Sequence, residues 1–340
     1  DEGKIGVPDS LAVDVQNASG TAGWIRAGLP GETVLDIAFS PTEPSVVYAS
    51  TLSGRVFKTV DGGTTWTSTS RGVPPGAALW ALQVSPVDAN VAWAGSSLSA
   101  YGTVYRTVDG GKTWTPVGPN NWVPDLAVAP NARDLLGVGD KVYRSTDQGD
   151  SWTAVLDGLW TESVAIDPAD DQTFYVGGVE WLEPWAVYKT TDGGRSWISQ
   201  TLGTADGILN LIVDPQEHQT VYASARGGPG GVYKSGDGGL SWTRTGPGVD
   251  YYVDSLAMAP LNGQVLYAGW SGVYKTEDGA TTWQYIGDGL PPGAAVHALA
   301  VSPVGSTAVY AGLVDGGLWK LAADEEKYNA YLPLVLQRFQ

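Results

Sequence analysis

The chain of 340 residues contains no cysteine, two histidines, one methionine and four phenylalanines. Absence of cysteine excludes disulfides, thiolate metal sites, iron–sulfur clusters and cysteine nucleophiles together. With only His218 and His297, a three-histidine metal site is excluded as well. Positive charge is scarce: 19 Lys and Arg stand against 36 Asp and Glu, a net charge of −17. Such a surface cannot displace counterions from a phosphate backbone, so no nucleic acid partner is expected. Apolar runs are only a handful of residues long, so no transmembrane helix and no membrane insertion are expected. No G-x-S-x-G elbow, P-loop or dinucleotide fingerprint occurs, and no cofactor is expected. What is abundant is 46 Gly, 21 Pro, 15 Trp and 16 Tyr, the composition of many short strands joined by tight turns.

An eight-residue phrase recurs along the chain. It reads TVDGGTTW ending at Trp66, TVDGGKTW at Trp114, STDQGDSW at Trp152, TTDGGRSW at Trp197, SGDGGLSW at Trp242 and TEDGATTW at Trp283. Its aspartates, Asp61, Asp109, Asp147, Asp192, Asp237 and Asp278, are spaced by 48, 38, 45, 45 and 41 residues, the period of a repeat architecture. Each unit has one grammar. A first apolar strand ends at a proline (Pro41, Pro86, Pro130, Pro168, Pro215, Pro260, Pro303). A second strand such as VVYAS follows, then a third such as VFKT, then the D-x-G turn and the Trp strand. Four short strands per unit predict a propeller blade. There are seven first strands but six D-x-G phrases, because the last unit runs LWKLAADEEKY; the segment GWIRAGLPG around Trp24 matches the missing outer strand. The expected fold is therefore all-β, a seven-bladed propeller over residues 24–323 closed by an N-terminal strand, with extensions at 1–23 and 324–340. Closure of this kind removes an open sheet edge.

The pattern S/T-x-D-x-G-x-S/T-W resembles the Asp-box (BNR) repeat of sialidases, sortilin-type receptors, xyloglucan-active glycosidases and the photosystem II assembly propellers. It covers residues 24 to 320, with Ala280 in place of a glycine in the last full copy. The resemblance implies a propeller and leaves function open, since these folds host hydrolases, receptors and assembly factors. Within the repeat, the six aspartates read as structural: a short carboxylate accepts N–H bonds across its own turn. No metal is expected there, because each turn offers one carboxylate and calcium wants six or more oxygens. The third strands carry one basic residue each (Lys58, Arg106, Arg144, Lys189, Lys234, Lys275, Lys320), read as structural partners rather than a ligand patch.

Subtracting the repeat leaves Trp80, Trp122, Trp160, Trp181, Trp185 and Trp270 unexplained, beside Tyr251, Tyr252 and His297. All fall where first strands begin or second strands end, on the face opposite the D-x-G turns. Asp36, Asp125, Glu162 and Asp254, with Glu180, Glu183 and Asn210, share that face. Flat aromatic surfaces beside carboxylates suit a glycan or a protein surface; the competing expectation is that the aromatics plug the channel. Ligand contacts are expected at Trp80, Trp122, Trp160, Trp181, Trp185, Tyr252, Asp36, Asp125, Glu162 and Asp254.

Were the chain an enzyme, Glu162 and Asp254 would be the glycosidase carboxylate pair. Sialidases hold the sugar carboxylate with arginines at first-strand starts; here those starts carry none, and only Arg71 and Arg226 come from loops of that face. The resemblance to single-ring assembly propellers does not carry their basic face to this acidic chain. The expectation is a non-catalytic recognition or assembly propeller, extracellular or at the cell surface. The ending NAYLPLVLQRFQ resembles short tails of secreted proteins in filamentous green bacteria, and self-association through the terminal segments is a further reading. Asn17-Ala18-Ser19 forms a glycosylation triplet.

Overall fold

The computed structural model describes residues 23–96, 102–180, 183–203, 206–228, 230–249, 252–303 and 308–321. Among these residues every regular element is a strand, and the strands form seven four-stranded antiparallel sheets. Six sheets take their strands in chain order. The seventh pairs Val296–Val301, Val309–Leu313 and Gly317–Leu321 with Trp24–Gly28 from the other end of the chain, Trp24 lying opposite Leu321. First strands of neighbouring blades pack together all the way round, and blade seven meets blade one. The N-terminal strand thus closes the ring, as the missing outer strand predicts.

Side-chain alternation explains the packing. Residues such as Val47, Tyr48 and Ala49 of the second strand of blade one are wholly buried on both faces, and each core cluster mixes two adjacent blades. The outer-strand tryptophans stitch those interfaces with their indole N–H groups. Trp66 donates to the Ala27 carbonyl (3.0 Å), Trp114 to that of Thr69 (2.6 Å) and Trp24 to that of Ile286 (2.8 Å). The closing strand therefore takes part in two inter-blade indole bonds, one given by Trp24 and one received at Ala27, and the Trp24 backbone N–H donates to the Asp288 carbonyl as well (3.0 Å). A buried indole that finds an acceptor contributes both its area and its hydrogen bond.

Each D-x-G turn is a closed network. The six aspartates accept the backbone N–H of the residue four positions on at 2.9 Å and its hydroxyl at 2.5–2.7 Å. The hydroxyl two positions before the aspartate donates to it and accepts the N–H of the second glycine place, as Thr107 does between Asp109 and Gly111. This explains why serine or threonine flanks every aspartate. The Thr113 hydroxyl and N–H hold the Asp109 carboxyl down to about 2, and Ser151 does the same to Asp147. At the second glycine place Gly111 has φ +90°, and a β-carbon there would meet Thr69 at 3.0 Å; Ala280 keeps the same left-handed turn at φ 71°.

The third-strand basic residues latch each blade to the turn of the next. Lys58, Lys189 and Lys234 donate to the carbonyls of Gly110, Gly238 and Gly279, and Lys320 closes the circle onto Gly62. On the way each ammonium lies over a second-strand tyrosine, 4.9 Å from the Tyr48 centroid in the case of Lys58. Arg106 and Arg144 reach the turns at Gln148 and Gly193 likewise. Lys275 departs from the pattern: the next blade has no D-x-G turn, and its ammonium bonds Glu277 of its own turn. Structural, not ligand-directed, is thus the role of the basic row.

Candidate functional site

The first strands surround a central channel of about 920 Å³. Aligned by their pairing, they read LDIA, WALQ, PDLA, ESVA, LNLI, DSLA and HALA from residues 35, 80, 124, 162, 209, 254 and 297. In five blades the ladder skips one residue at the first letter, between Val34 and Asp36, Leu79 and Ala81, Thr161 and Ser163, Ile208 and Asn210, and Val296 and Ala298. A β-bulge leaves the extra residue unpaired and re-aims its side chain. Here the extra residues are Leu35, Trp80, Glu162, Leu209 and His297, and all five line the channel. Pro124 and Asp254 stand at the same place in blades three and six and line it too. Bulges in five blades, and the matching places in the other two, deliver a ring of side chains to the mouth.

The second letter lies just inside. Asp36 accepts the N–H of Ile37 and, across the blade boundary, of Leu82, both at 2.7 Å. Asp125 accepts from Leu126 (2.8 Å) and from Val164 of the next blade (2.9 Å). Asn210 donates to the Asp254 carbonyl of the next blade at 2.9 Å. These three side chains staple blade one to two, three to four and five to six, using innermost-strand N–H and C=O groups that no further strand can pair. Burial pushes the Asp36 carboxyl up to about 7 against the pull of its two N–H donors. Burial, joined by repulsion from Asp36, takes Asp125 up to about 8. The fourth letter is alanine in five blades, Gln83 in blade two and Ile212 in blade five, and Ala38, Ala127, Ala165 and Ala300 line a mainly aliphatic lower channel that small side chains keep open.

At the mouth the charged groups pair. Arg226, ending the second strand of blade five (Val221–Arg226), bonds Glu162 at 2.7 Å. His297 lies 3.4 Å from Asp254. Burial raises the Glu162 carboxyl while Arg226 and, more weakly, the Trp160 indole oppose the shift. Its Oε2, tucked against Gly207, nevertheless meets no donor among the described residues. Burial likewise raises Asp254, against the charges of His297 and Arg226. Arg226 therefore acts on both acids at once.

Aromatic pairs rim these acids. Trp122 and Trp160 lie 4.3 Å apart between ring centroids, and Tyr252 stacks on Trp270 at 4.6 Å and 27°. Trp80 of blade two meets His297 of blade seven edge-on at 6.1 Å, reaching over the end of blade one. Trp160 is 51% exposed, and Trp80, Tyr252 and Trp270 are close to 40%. Of the residues expected at the site, Trp80, Trp122, Tyr252, Asp36, Asp125, Glu162 and Asp254 line one channel, and Trp160 stands on its rim against Trp122. Trp185 is half-buried against the core between blades four and five and does not reach the channel. Trp181 and Tyr251 lie outside the described residues.

The sequence reading did not find the Glu162–Arg226 pair or the stapling role of Asp36 and Asp125. A signal existed for the staples, since an acid or amide recurs at the second letter of blades one, three and five. Among the described residues no group of three or more histidine or acidic side chains is placed to share a metal ion.

No family model matches the chain, and no curated protein matches it. Among solved structures, it is similar to the GH74 xyloglucanase of Xanthomonas campestris, with a TM-score of 0.67 and 20% identity over 88% of this chain and 53% of that one. The chain thus spans about half the length of that enzyme. It is also similar to YCF48 from Cyanidioschyzon merolae (TM-score 0.63, 18% identity, 88% of this chain, 99% of the other). A third similar structure is YCF48 bound to D1 peptide (TM-score 0.67, 17% identity, 93% and 100%). At these identities the likeness shows the fold: this chain is a seven-bladed β-propeller.

Proposed function

We propose that the chain is a non-catalytic recognition or assembly propeller of the Asp-box (BNR) kind, extracellular or at the cell surface, binding a glycan or a protein at the aromatic mouth. One observation carries this reading. The repeat accounts for the turns of the opposite face, whereas bulges deliver Trp80, Glu162 and His297, and the matching place in blade six delivers Asp254, to one opening. Exposed Trp and Tyr supply contact area at small entropic cost. The similar structures include one protein named for xyloglucan and one bound to a peptide, so both ligand classes have precedent on this fold.

The mouth's acids favour binding over hydrolysis. A glycosidase needs one carboxyl held as an acid and one free as base or nucleophile; here Glu162 and Asp254 are each engaged by a cationic or cation-forming partner. Glycoside hydrolysis by this pair is the second reading, supported by their shared channel. Incubation with xyloglucan, β-glucan and chitin oligosaccharides distinguishes the two: binding without released sugars supports recognition, and turnover abolished in Glu162→Gln supports hydrolysis. Trp160→Ala is expected to weaken binding by ~1 kcal/mol or more while the protein stays folded. Self-association is the third reading. Trp24 and Leu321, near the two ends of the described ring, lie opposite each other; equilibrium sedimentation of the full chain tests this reading.

A further inference from the structure

The aromatic mouth lies over an open channel, and its charge complement identifies what fits. Four carboxyl-bearing residues, Asp36, Asp125, Glu162 and Asp254, line the channel against one guanidinium, Arg226, and one imidazole, His297, which is charged only if protonated. Arg226 is already bound by Glu162. The rim is aromatic: Trp80, Trp122 and Tyr252 line the channel and Trp160 stands beside them. Below them the alanines leave a slot walled mainly by aliphatic side chains, with Gln83 of blade two among them.

A lysine or arginine side chain matches this sequence of surfaces. Its aliphatic stem suits apolar walls, its cationic head is attracted by aromatic faces and carboxylates, and its slenderness suits an opening between ring pairs. A sugar uses the aromatic faces equally well, and its hydroxyls can donate to the same carboxyls, but it brings no positive charge to answer the excess of acids over bases in the channel. An anion is repelled by the mouth and by the net charge of −17.

Building on the recognition reading, we infer that the partner is a protein that inserts a lysine or arginine side chain between the aromatic pairs of the mouth into the acid-lined channel. The ionisation of the channel gives this insertion a signature. Asp36 and Asp125, raised to about 7 and about 8, hold protons part of the time at neutral pH. An arriving ammonium favours their charged forms, so those protons pass to solvent. Binding therefore tightens as pH rises from 6 to 8.5. The other ionisable groups facing the channel are Glu162, Asp254, His297 and Arg226; the carboxyls of Glu162 and Asp254 are likewise raised by burial, so they act in the same direction.

The test uses the full chain and three probes: a lysine-containing pentapeptide blocked at both termini, the same peptide with its lysine ε-acetylated, and a xyloglucan heptasaccharide. Calorimetry in two buffers of different ionisation enthalpy reads affinity and proton release. The expected result is binding of the lysine peptide, at least about tenfold weaker binding of the acetylated one, and net proton release at pH 7.5. Glu162→Gln and Trp160→Ala should each weaken the lysine peptide. Glu277→Gln, which removes the same charge from the opposite face, should not. Equal binding of both peptides, absence of proton release, or equal weakening by Glu162→Gln and Glu277→Gln overturns the inference. Tight heptasaccharide binding lost in Trp160→Ala, with the lysine peptide inert, also overturns it but leaves the recognition reading standing. If no probe binds, or if binding ignores Trp160→Ala, both fail. Should Glu162→Gln fold poorly for want of a partner for Arg226, the exposed Trp160 variant and the acetylated peptide decide alone.

Discussion

The two ends of the ring are built from the same blades by opposite rules. At the D-x-G end, six turns repeat one hydrogen-bond network, and the basic side chain of the preceding blade docks on each of them. At the channel mouth the corresponding position differs in every blade except for the two leucines, and it sits on a bulge in five of them. Regularity marks the end whose job is to hold the blades together. Irregularity on a fixed backbone device marks the end where side chains are free to serve recognition. Even the acids follow this division: in the turns hydrogen bonds pull them down, and in the channel burial pushes them up.

The largest expected effect comes from opening the ring. A chain starting at residue 30 lacks the outer strand of blade seven and the inter-blade bonds made through Trp24 and Ala27. Its melting temperature should drop by roughly 10 °C or more or its transition lose cooperativity, whereas a chain starting at residue 23 should melt within a few degrees of the full protein. Equal melting of both would mean that closure contributes little.

Next in size is a pair of tryptophan replacements. Trp114→Ala empties a buried interface and should cost about 3–5 kcal/mol in urea unfolding. Trp160→Ala, at the exposed rim, should stay within ~0.5 kcal/mol of the parent and lose ligand instead. If the rim variant proves as destabilising as the interface variant, the aromatics of the mouth are a plug.

The third effect is pH dependence, in which the two ends oppose each other. Carboxyls held down in the turns contribute stability that is present above their unfolded value near 4 and lost as pH falls through about 2. Carboxyls raised in the channel contribute stability that is complete below about 4 and lost as pH climbs through about 7 and about 8. Thermal melts from pH 2.5 to 9 should therefore show an optimum on the acid side of neutrality. Asp125→Asn should flatten the alkaline limb and leave the acid limb unchanged, and Asp109→Asn should do the reverse.

The smallest effect separates two lysines that look equivalent in sequence. Lys58→Met breaks a latch to Gly110 and a contact with Tyr48, and should cost about 1 kcal/mol. Lys275→Met removes a bond to exposed Glu277 and a longer contact with Tyr267 (5.9 Å) but no latch to a neighbouring blade, and should change stability by less than ~0.5 kcal/mol. Equal losses would show that the next blade's turn is not what the latch acts on.

Much of this molecule was legible before any coordinates. Repeat period and strand order gave seven blades, and the orphan strand at Trp24 gave the closure, because both depend on local periodicity and on counting. The face bearing Trp80, Trp122, Trp160 and Tyr252 followed from where loops fall in such a blade. Trp185 was harder: a loop tryptophan can turn outward or fold back, and only packing against the core that Leu202, just past the outer strand of the same blade, shares with blade five turned it inward. Asp36 and Asp125 illustrate the same limit. Their partners, Leu82 and Val164, are 46 and 39 residues away and belong to other sheets.

What the sequence by itself determined is the repeated part, since a D-x-G turn, its flanking hydroxyls and the tryptophan beyond it satisfy one another within eight residues wherever they occur. What only the tertiary structure decided is which side chains meet at the mouth. That depends on a bulge shifting one residue out of register and on ring closure setting blade seven beside blade one. Only then does Trp80 face His297, Arg226 bind Glu162, and a set of residues scattered from Leu35 to His297 become one opening.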